Sequence, residues 1–514
     1  MNNFKSTAVA ITVITIICKC FGFVREMTLA YFFGTTYVVD AFLMAAIIPE
    51  VLFCWLGTIV IAYTPKFTDI KYRLGEEEAQ KYTQNIMGLL LVLSSLCTLF
   101  TLIFSNQIVE FAAPGFSGDI FLLTRDFLMF SVFSIMFVYI SRIMVSYLDC
   151  NGKFMKSRLS NLVVSSSQIV VIFIAGMFGR LDILIFSVIV AAILQFMVVG
   201  VFSSMEGLKF KLSFKFDQHI KSTLRFVLPI FISSMIMQIN TFVDKSFASK
   251  LAEGSIAALN YADKIKIFIV SIFSIAIVTI IYPVLSKAVS EKKMDEVKRI
   301  FTKALNLILV LFIPITFGAI LLSRPAMTAV YMRGAFDVNS LNMTVVAFAM
   351  YAIGVMFIAL SDVLTRVFYS LQDAKSALIV GAITVSINIG LNFILVNILG
   401  HAGLALSTSI AAICSIPLYL FFLRRRIGNL GLTKSGILAI KSLLSASVMA
   451  VAVYFINKYI GSMDTGVLYS LISIAVSGIV GAIIYYVLML LMKVEEIEVV
   501  TNLFKKVIGK ISRK

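Results

Sequence analysis

Unbroken apolar runs, each about as long as a bilayer is thick, follow one another along the whole chain with short polar segments between them. A helix needs about 20 such residues to cross the hydrocarbon. The pattern predicts fourteen spans. Six lie near 7–24, 40–63, 84–105, 121–147, 158–178 and 181–203, six more near 224–247, 261–282, 302–323, 342–368, 376–398 and 402–422, and the last two near 441–459 and 468–492. Only Gly179-Arg180 separates the fifth from the sixth, and only Gly400-His401 the eleventh from the twelfth, so both pairs are expected to be tight helical hairpins. Lys5 followed by Ala8 to Ile17 resembles the start of a secretory signal, but the run continues to Phe23 without a small-residue cleavage site and reads as a retained first span. The tail 494–514 mixes Val, Ile and Phe with Lys505, Lys506, Lys510, Arg513 and Lys514, the pattern of a basic amphipathic helix on a membrane surface.

Composition agrees with the pattern. The 514 residues are 60% hydrophobic and 14% charged, with a mean hydropathy of +1.00. A soluble chain carries about a quarter charged residues, and a water-exposed fold could not hide this much apolar surface. The net charge of +17 comes from basic residues in the short segments between spans, not from a nucleic-acid-binding face. Their expected partner is the anionic cytoplasmic leaflet. With the N-terminus inside, the inner loops 64–83, 204–223 and 283–301 carry the basic clusters, whereas the outer loop 106–120 has no Lys or Arg. Both termini are therefore expected to be cytoplasmic.

The two halves of the chain resemble each other. Arg142 lies seven residues before Asp149 at the end of the fourth span, and Arg366 seven before Asp373 at the end of the tenth. Thr64-Pro65 and Tyr82 have counterparts in Tyr282-Pro283 and Phe301. Six spans is an even number, so the second copy enters from the same side as the first. The expected fold is an all-α polytopic membrane protein with two parallel six-helix repeats around a central space, plus two added C-terminal helices. The expected divisions are 1–215, 216–430, 431–493 and the tail 494–514.

Charges inside the spans are the informative residues, because each costs roughly 2.5–3.5 kcal/mol at a helix centre unless it faces water or a partner. Lys19 and Arg25 lie late in the first span, Asp40 opens the second, and Asp263, Lys264 and Lys266 open the eighth. Lys245, Lys250 and Lys266 are near enough to an interface to snorkel. Arg142 and Arg366 are expected to pair with Asp149 and Asp373 or to snorkel inward. Lys19 and Arg25 point about 120° apart on a straight helix, and Gly22 between them permits a bend. Lys19, Arg25 and Lys264 outnumber Asp40 and Asp263, and a cationic cavity selects an anion such as phosphate or pyrophosphate.

Phe21-Gly22-Phe23-Val24-Arg25-Glu26, Ala30-Tyr31-Phe32-Phe33-Gly34, Asp40-Ala41-Phe42 and Ile48-Pro49 together resemble the signature of the MurJ/MviN family of the multidrug/oligosaccharidyl-lipid/polysaccharide exporter superfamily. Tyr261-Ala262-Asp263-Lys264, the run Arg366 to Asp373, and Gly403 to Ser409 are similar to further family segments. The resemblance implies two lobes forming a V-shaped cationic cavity that moves an undecaprenyl-linked precursor, lipid II, from the inner to the outer leaflet. It implies a groove for the lipid tail on spans 13 and 14. It carries Arg25 and Asp40 over as site residues, with Lys19 and Lys264 standing where the family usually has arginine. Lysine keeps the charge but lacks the bidentate fork. Phe53 and Cys54 stand where the family often has two arginines, and Ile267 where it has a glutamate. Those departures leave a flippase for another undecaprenyl-linked glycan as an alternative.

Two other classes fit less well. A drug or cation antiporter of the same superfamily would favour an acidic or apolar cavity and twelve spans. A membrane enzyme would need a carboxylate or metal constellation in a sizeable loop, and no P-loop motif for ATP hydrolysis occurs. No cofactor is expected. An ion gradient or the membrane potential is the expected energy source.

Overall fold

The computed structural model describes residues 2–211, 213–463 and 466–497, and the side chains among them apart from 2–12, 226, 228–230, 232, 233, 237, 273 and 275–280. Every regular element among the described residues is an α-helix. In chain order these are α1 (Asn2–Phe33), α2 (Tyr37–Leu52), α3 (Cys54–Leu74), α4 (Glu76–Ile103), α5 (Ser105–Ala112), α6 (Asp119–Ser131), α7 (Ser134–Cys150), α8 (Phe154–Phe178) and α9 (Leu181–Met205). The second half holds α10 (Gln218–Ala248), α11 (Ser255–Ser290), α12 (Met294–Leu321), α13 (Ser323–Tyr331), α14 (Val338–Ser370), α15 (Ala374–Leu399), α16 (His401–Ile427), α17 (Thr433–Met463) and α18 (Val467–Leu491).

Among the described residues nine helices are long and apolar enough to span a membrane, or eleven when two bent pairs each count as one span. The three other expected spans fall on α1, α10 and α11, helices of 32, 31 and 36 residues. The bent pairs are α2 with α3, at 55°, and α6 with α7, at 44°. The first bend has a visible cause. Pro49 has no N–H to give to Ala45 O, and Ser131 Oγ lies 3.4 Å from that carbonyl instead. At the break itself, Phe53 O accepts from Tyr139 Oη at 3.0 Å, as backbone within a bilayer requires.

Helices continue where the hydropathy pattern suggested loops. The expected inner loop 64–83 is helix except for Gly75, which turns the chain at φ +93°. Most of 283–301 is likewise helix, with a short turn around Lys292. Hydropathy marks where the hydrocarbon ends, not where the helix does; Asp69–Arg73 and Glu77–Lys81 pairs support the projecting turns. The segment between α9 and α10 is, at its described residues, a longer non-helical connector.

The chain forms two compact units: residues 1–257 with 333–336, and 258–332 with 337–514. In the first, the stacked rings of Tyr63 and Tyr82 sit at the centre, 5.6 Å apart. Each hydroxyl is hydrogen-bonded at 2.8 Å, to Thr83 and Thr223. Gly176 of α8 lies so close to the Phe32 ring of α1 that a Cβ would overlap it. In the second unit α17 packs on α12, and α18 on α17 and α13. Ser435, Ser442 and Ser445 of α17 and Ser470, Ser473 and Ser477 of α18 are buried, small residues that let membrane helices approach closely. Tyr485 donates to Val310 O at 2.9 Å. Asn306 joins Glu496 to Ser435, at 2.5 and 2.6 Å, and so ties the root of the tail to α12. The expected amphipathic helix beyond Ile497 lies outside the described residues.

Each unit contains the same three-helix motif, α7–α8–α9 in one and α14–α15–α16 in the other. Its first turn closes identically. Lys153 N reaches Leu148 O with Gly152 left-handed, and Asp373 N reaches Phe368 O with Gln372 left-handed, the Schellman arrangement. This geometry sets the repeat offset at 373 − 153 = 220. Asp373 therefore corresponds to Lys153 and not to Asp149, as the Arg-to-Asp spacing had suggested.

Candidate functional site

Arg25 sits on the face of α1 that packs against α8. Its Nη1 donates to Gln168 Oε1 of α8 at 2.8 Å, and its Nη2 to Glu26. Glu26 is 2% exposed and Arg25 30%. An unpaired guanidinium would be costly in a bilayer; a carboxylate and an amide now hold it in one orientation. It has five N–H donors, and these contacts use two. The side chain keeps 30% exposure, and a guanidinium with donors to spare suits an anion such as a phosphate. Lys19, nearer the start of α1, is exposed.

Asp40 is 2% exposed. One carboxylate oxygen accepts from Gly254 N at 2.7 Å and the other from Ala257 N at 2.8 Å. Asp40 thus caps the N-terminus of α11, where charge and dipole agree. The surrounding backbone is interlocked. Glu253 accepts from Tyr37 N at 2.8 Å, and Ala335 N donates to Tyr31 O at 2.8 Å. Gly254, at φ +83°, presses on the Thr35 carbonyl. Lys245 Nζ lies 3.3 Å from Leu43 O.

In the second unit, Asp263 is ion-paired to Lys266, whose ammonium lies 4.4 Å from the Tyr351 ring centroid. Lys266 is 8% exposed, so it is held in the protein and does not snorkel. Lys264, half-buried, has no hydrogen-bond or ion-pair partner among the described residues.

Neither expected arginine–aspartate pair forms. Arg142 lies over the Tyr139 ring at 5.4 Å, while Asp149 takes Ser157 Oγ at 2.5 Å and Arg158 at 3.4 Å. Asp373 caps α15 through Ser376 N and Oγ, at 3.1 and 2.8 Å, and Arg366 is exposed. Seven residues is two helical turns, about 10 Å of rise, too far for either pair. At the ends of their helices both aspartates meet nearer partners in the following helix. Glu26 and Gln168 were missed from the sequence. Gln168 is a lone carboxamide in an apolar run, which was a usable signal, and the offset of 220 matches it to Asn388 in α15.

Broken, internally charged membrane helices on a twice-used helical motif define a multi-pass transporter. Two solved structures share the fold. "Lipid II flippase MurJ, inward closed conformation" matches with a TM-score of 0.79 at 22% identity, covering 95% of this chain and 100% of that one. A multidrug resistance MATE family transporter of the MOP superfamily matches with a TM-score of 0.66 at 14% identity, covering 81% and 96%. Among curated proteins, the "Probable lipid II flippase MurJ" of Rickettsia prowazekii is 30% identical over 419 residues, 80% of this chain and 82% of that protein. Its namesake from Buchnera aphidicola subsp. Baizongia pistaciae is 28% identical over 422 residues, again 80% and 82%. Residues 29–490 match the family described as lipid II flippase MurJ, and the chain belongs to that family.

Proposed function

We propose that this protein moves lipid II, an undecaprenyl-pyrophosphate-linked peptidoglycan precursor, from the inner to the outer leaflet of the bacterial cytoplasmic membrane by alternating access. The observation that carries the reading is Arg25: a guanidinium inside a membrane helix, fixed by Gln168 and Glu26 and still 30% exposed, the kind of group that suits a pyrophosphate. Lys264 supplies a second cation, one that no carboxylate among the described residues pairs with. Lys19 joins them as an inner-end cation, and Asp40 and Asp263 act through the groups they hold. In this reading 1–215 and 216–430 are the moving lobes, and 431–493 receives the undecaprenyl tail. Both termini are cytoplasmic, and anionic lipids flank the inner surface. The membrane potential, about 2.3 kcal/mol per charge per 100 mV, or an ion gradient drives the cycle.

Complementation of a conditional lipid II flippase loss tests the reading. Rescue by the wild-type chain and none by an equally expressed Arg25→Ala variant is the expected result; full rescue by the variant removes Arg25 from the site. Phe53 and Cys54 favour a second reading, another undecaprenyl-linked glycan, because the broken span carries no arginine there. Good expression of the wild-type chain without rescue would select it.

A further inference from the structure

The connector between α9 and α10 is anchored along α4. Its described residues, 207–211 and 213–217, form no helix, yet they are pinned to α4 at several points. Gln80 Nε2 donates to Gly207 O and Gln84 Nε2 to Lys209 O, each at 2.9 Å. Asn85 Nδ2 donates to Asp217 at 2.9 Å. The carbonyl of Ser213 occupies the space a Cβ on Gly88 would need, and Leu208 is buried in the core. What this fixed strip displays is Lys209, Lys211 and Lys215, all exposed, alternating with Phe210, Phe214 and Phe216, at 48%, 65% and 57% exposure.

We infer that this strip is a docking site for anionic phospholipid headgroups of the inner leaflet. Non-helical backbone is not tolerated against hydrocarbon, so the strip lies at headgroup depth. There the phenylalanines reach the acyl boundary while the lysines stay among phosphates. No acidic residue lies between Gly207 and Phe216. The neighbouring acids are each engaged: Glu206 with Lys153 and Lys156, Asp217 with Asn85 and Ile220 N, Glu77 and Glu78 with Lys81. These four acids against Lys81, Lys153 and Lys156 leave one negative charge over, and Lys209 is close enough to Glu77 to act on it; Lys211 and Lys215 remain for the membrane, and a zwitterionic headgroup cannot neutralise them. The leaflet assignment rests on the orientation proposed above.

The test places a reporter on the strip: Phe214→Trp in a Trp55→Phe background, which leaves one tryptophan, reconstituted into vesicles containing brominated phosphatidylglycerol or brominated phosphatidylcholine. Quenching should favour phosphatidylglycerol, by about fivefold for each lysine a headgroup meets. The preference should vanish in the K209Q/K211Q/K215Q variant, and also in 0.5 M salt with all lysines intact, a measurement that needs no further substitution. Equal quenching by the two lipids at low salt, or none by either, overturns the inference. Sidedness is read separately by labelling Lys211→Cys with a membrane-impermeant thiol reagent. Labelling from outside intact cells would refute the orientation while leaving the lipid result to stand for the other leaflet.

Discussion

Replacing Asp40 by alanine tests the most closely defined contact in the first unit. The substitution removes two charge-assisted hydrogen bonds, to Gly254 N and Ala257 N, and leaves both donors buried. Bonds to charged groups contribute about 1.5–3 kcal/mol each, and loss of a helix cap alone costs up to about 2 kcal/mol. Because the two bonds share one cap, about 3 kcal/mol is the expected local loss, equivalent to roughly a 150-fold change in the opening equilibrium. Hydrogen exchange read by mass spectrometry on a peptide spanning 252–258 should therefore accelerate about 150-fold in Asp40→Ala. Asp40→Asn keeps one acceptor oxygen and should give about tenfold. Unchanged protection in Asp40→Ala would refute the capping argument. If Asp40→Asn lost transport with exchange intact, direct contact with substrate would replace it.

Arg25→Lys keeps the charge but cannot hold Gln168 and Glu26 in a planar fork, so flipping of a labelled precursor should fall at least tenfold; wild-type flipping would remove the fork from the mechanism. Gly254→Ala places a Cβ at φ +83° against the Thr35 carbonyl and should destabilise by at least about 1 kcal/mol, read as a lower thermal midpoint in detergent; an unchanged midpoint contradicts the close approach. Lys156 and Lys153 hold the Glu206 carboxyl below its usual range. A depressed folded value means that the stabilisation is present above the ordinary glutamate pKa and lost as pH falls through the lowered one. Protease sensitivity of the α7–α8 turn should therefore rise below about pH 4 in the wild type and lose that step in Glu206→Gln.

Much of this architecture was readable because the bilayer writes a strong pattern. The hairpins at Gly179 and Gly400 were legible, since a glycine flanked by two apolar runs leaves the chain one option. Left-handed φ values of +61° and +58° realise it. The bend between α6 and α7 was not legible, because no proline or glycine marks Val132-Phe133. The candidate site was half visible. Charged residues in apolar runs announce themselves, but what each one meets depends on neighbours far along the chain: Gln168 lies 143 residues from Arg25, and Ala257 lies 217 from Asp40. Spacing also misled where it looked most regular. The seven-residue Arg-to-Asp intervals repeat in both halves, yet the turn geometry aligns the halves differently.

The one-residue joint at Gly75 has a mechanical consequence. From Thr64, at the expected membrane edge, α3 continues ten residues to Leu74, a rod of about 15 Å. Tilting it by about ten degrees at that edge would sweep its tip sideways by about 2.6 Å for a rod of that rise. With no slack beyond a single residue, the root of α4 would be dragged along. Spin labels at Tyr72 and Gln80 would thus act as the far ends of a lever, magnifying tilts too small to resolve within the lipid.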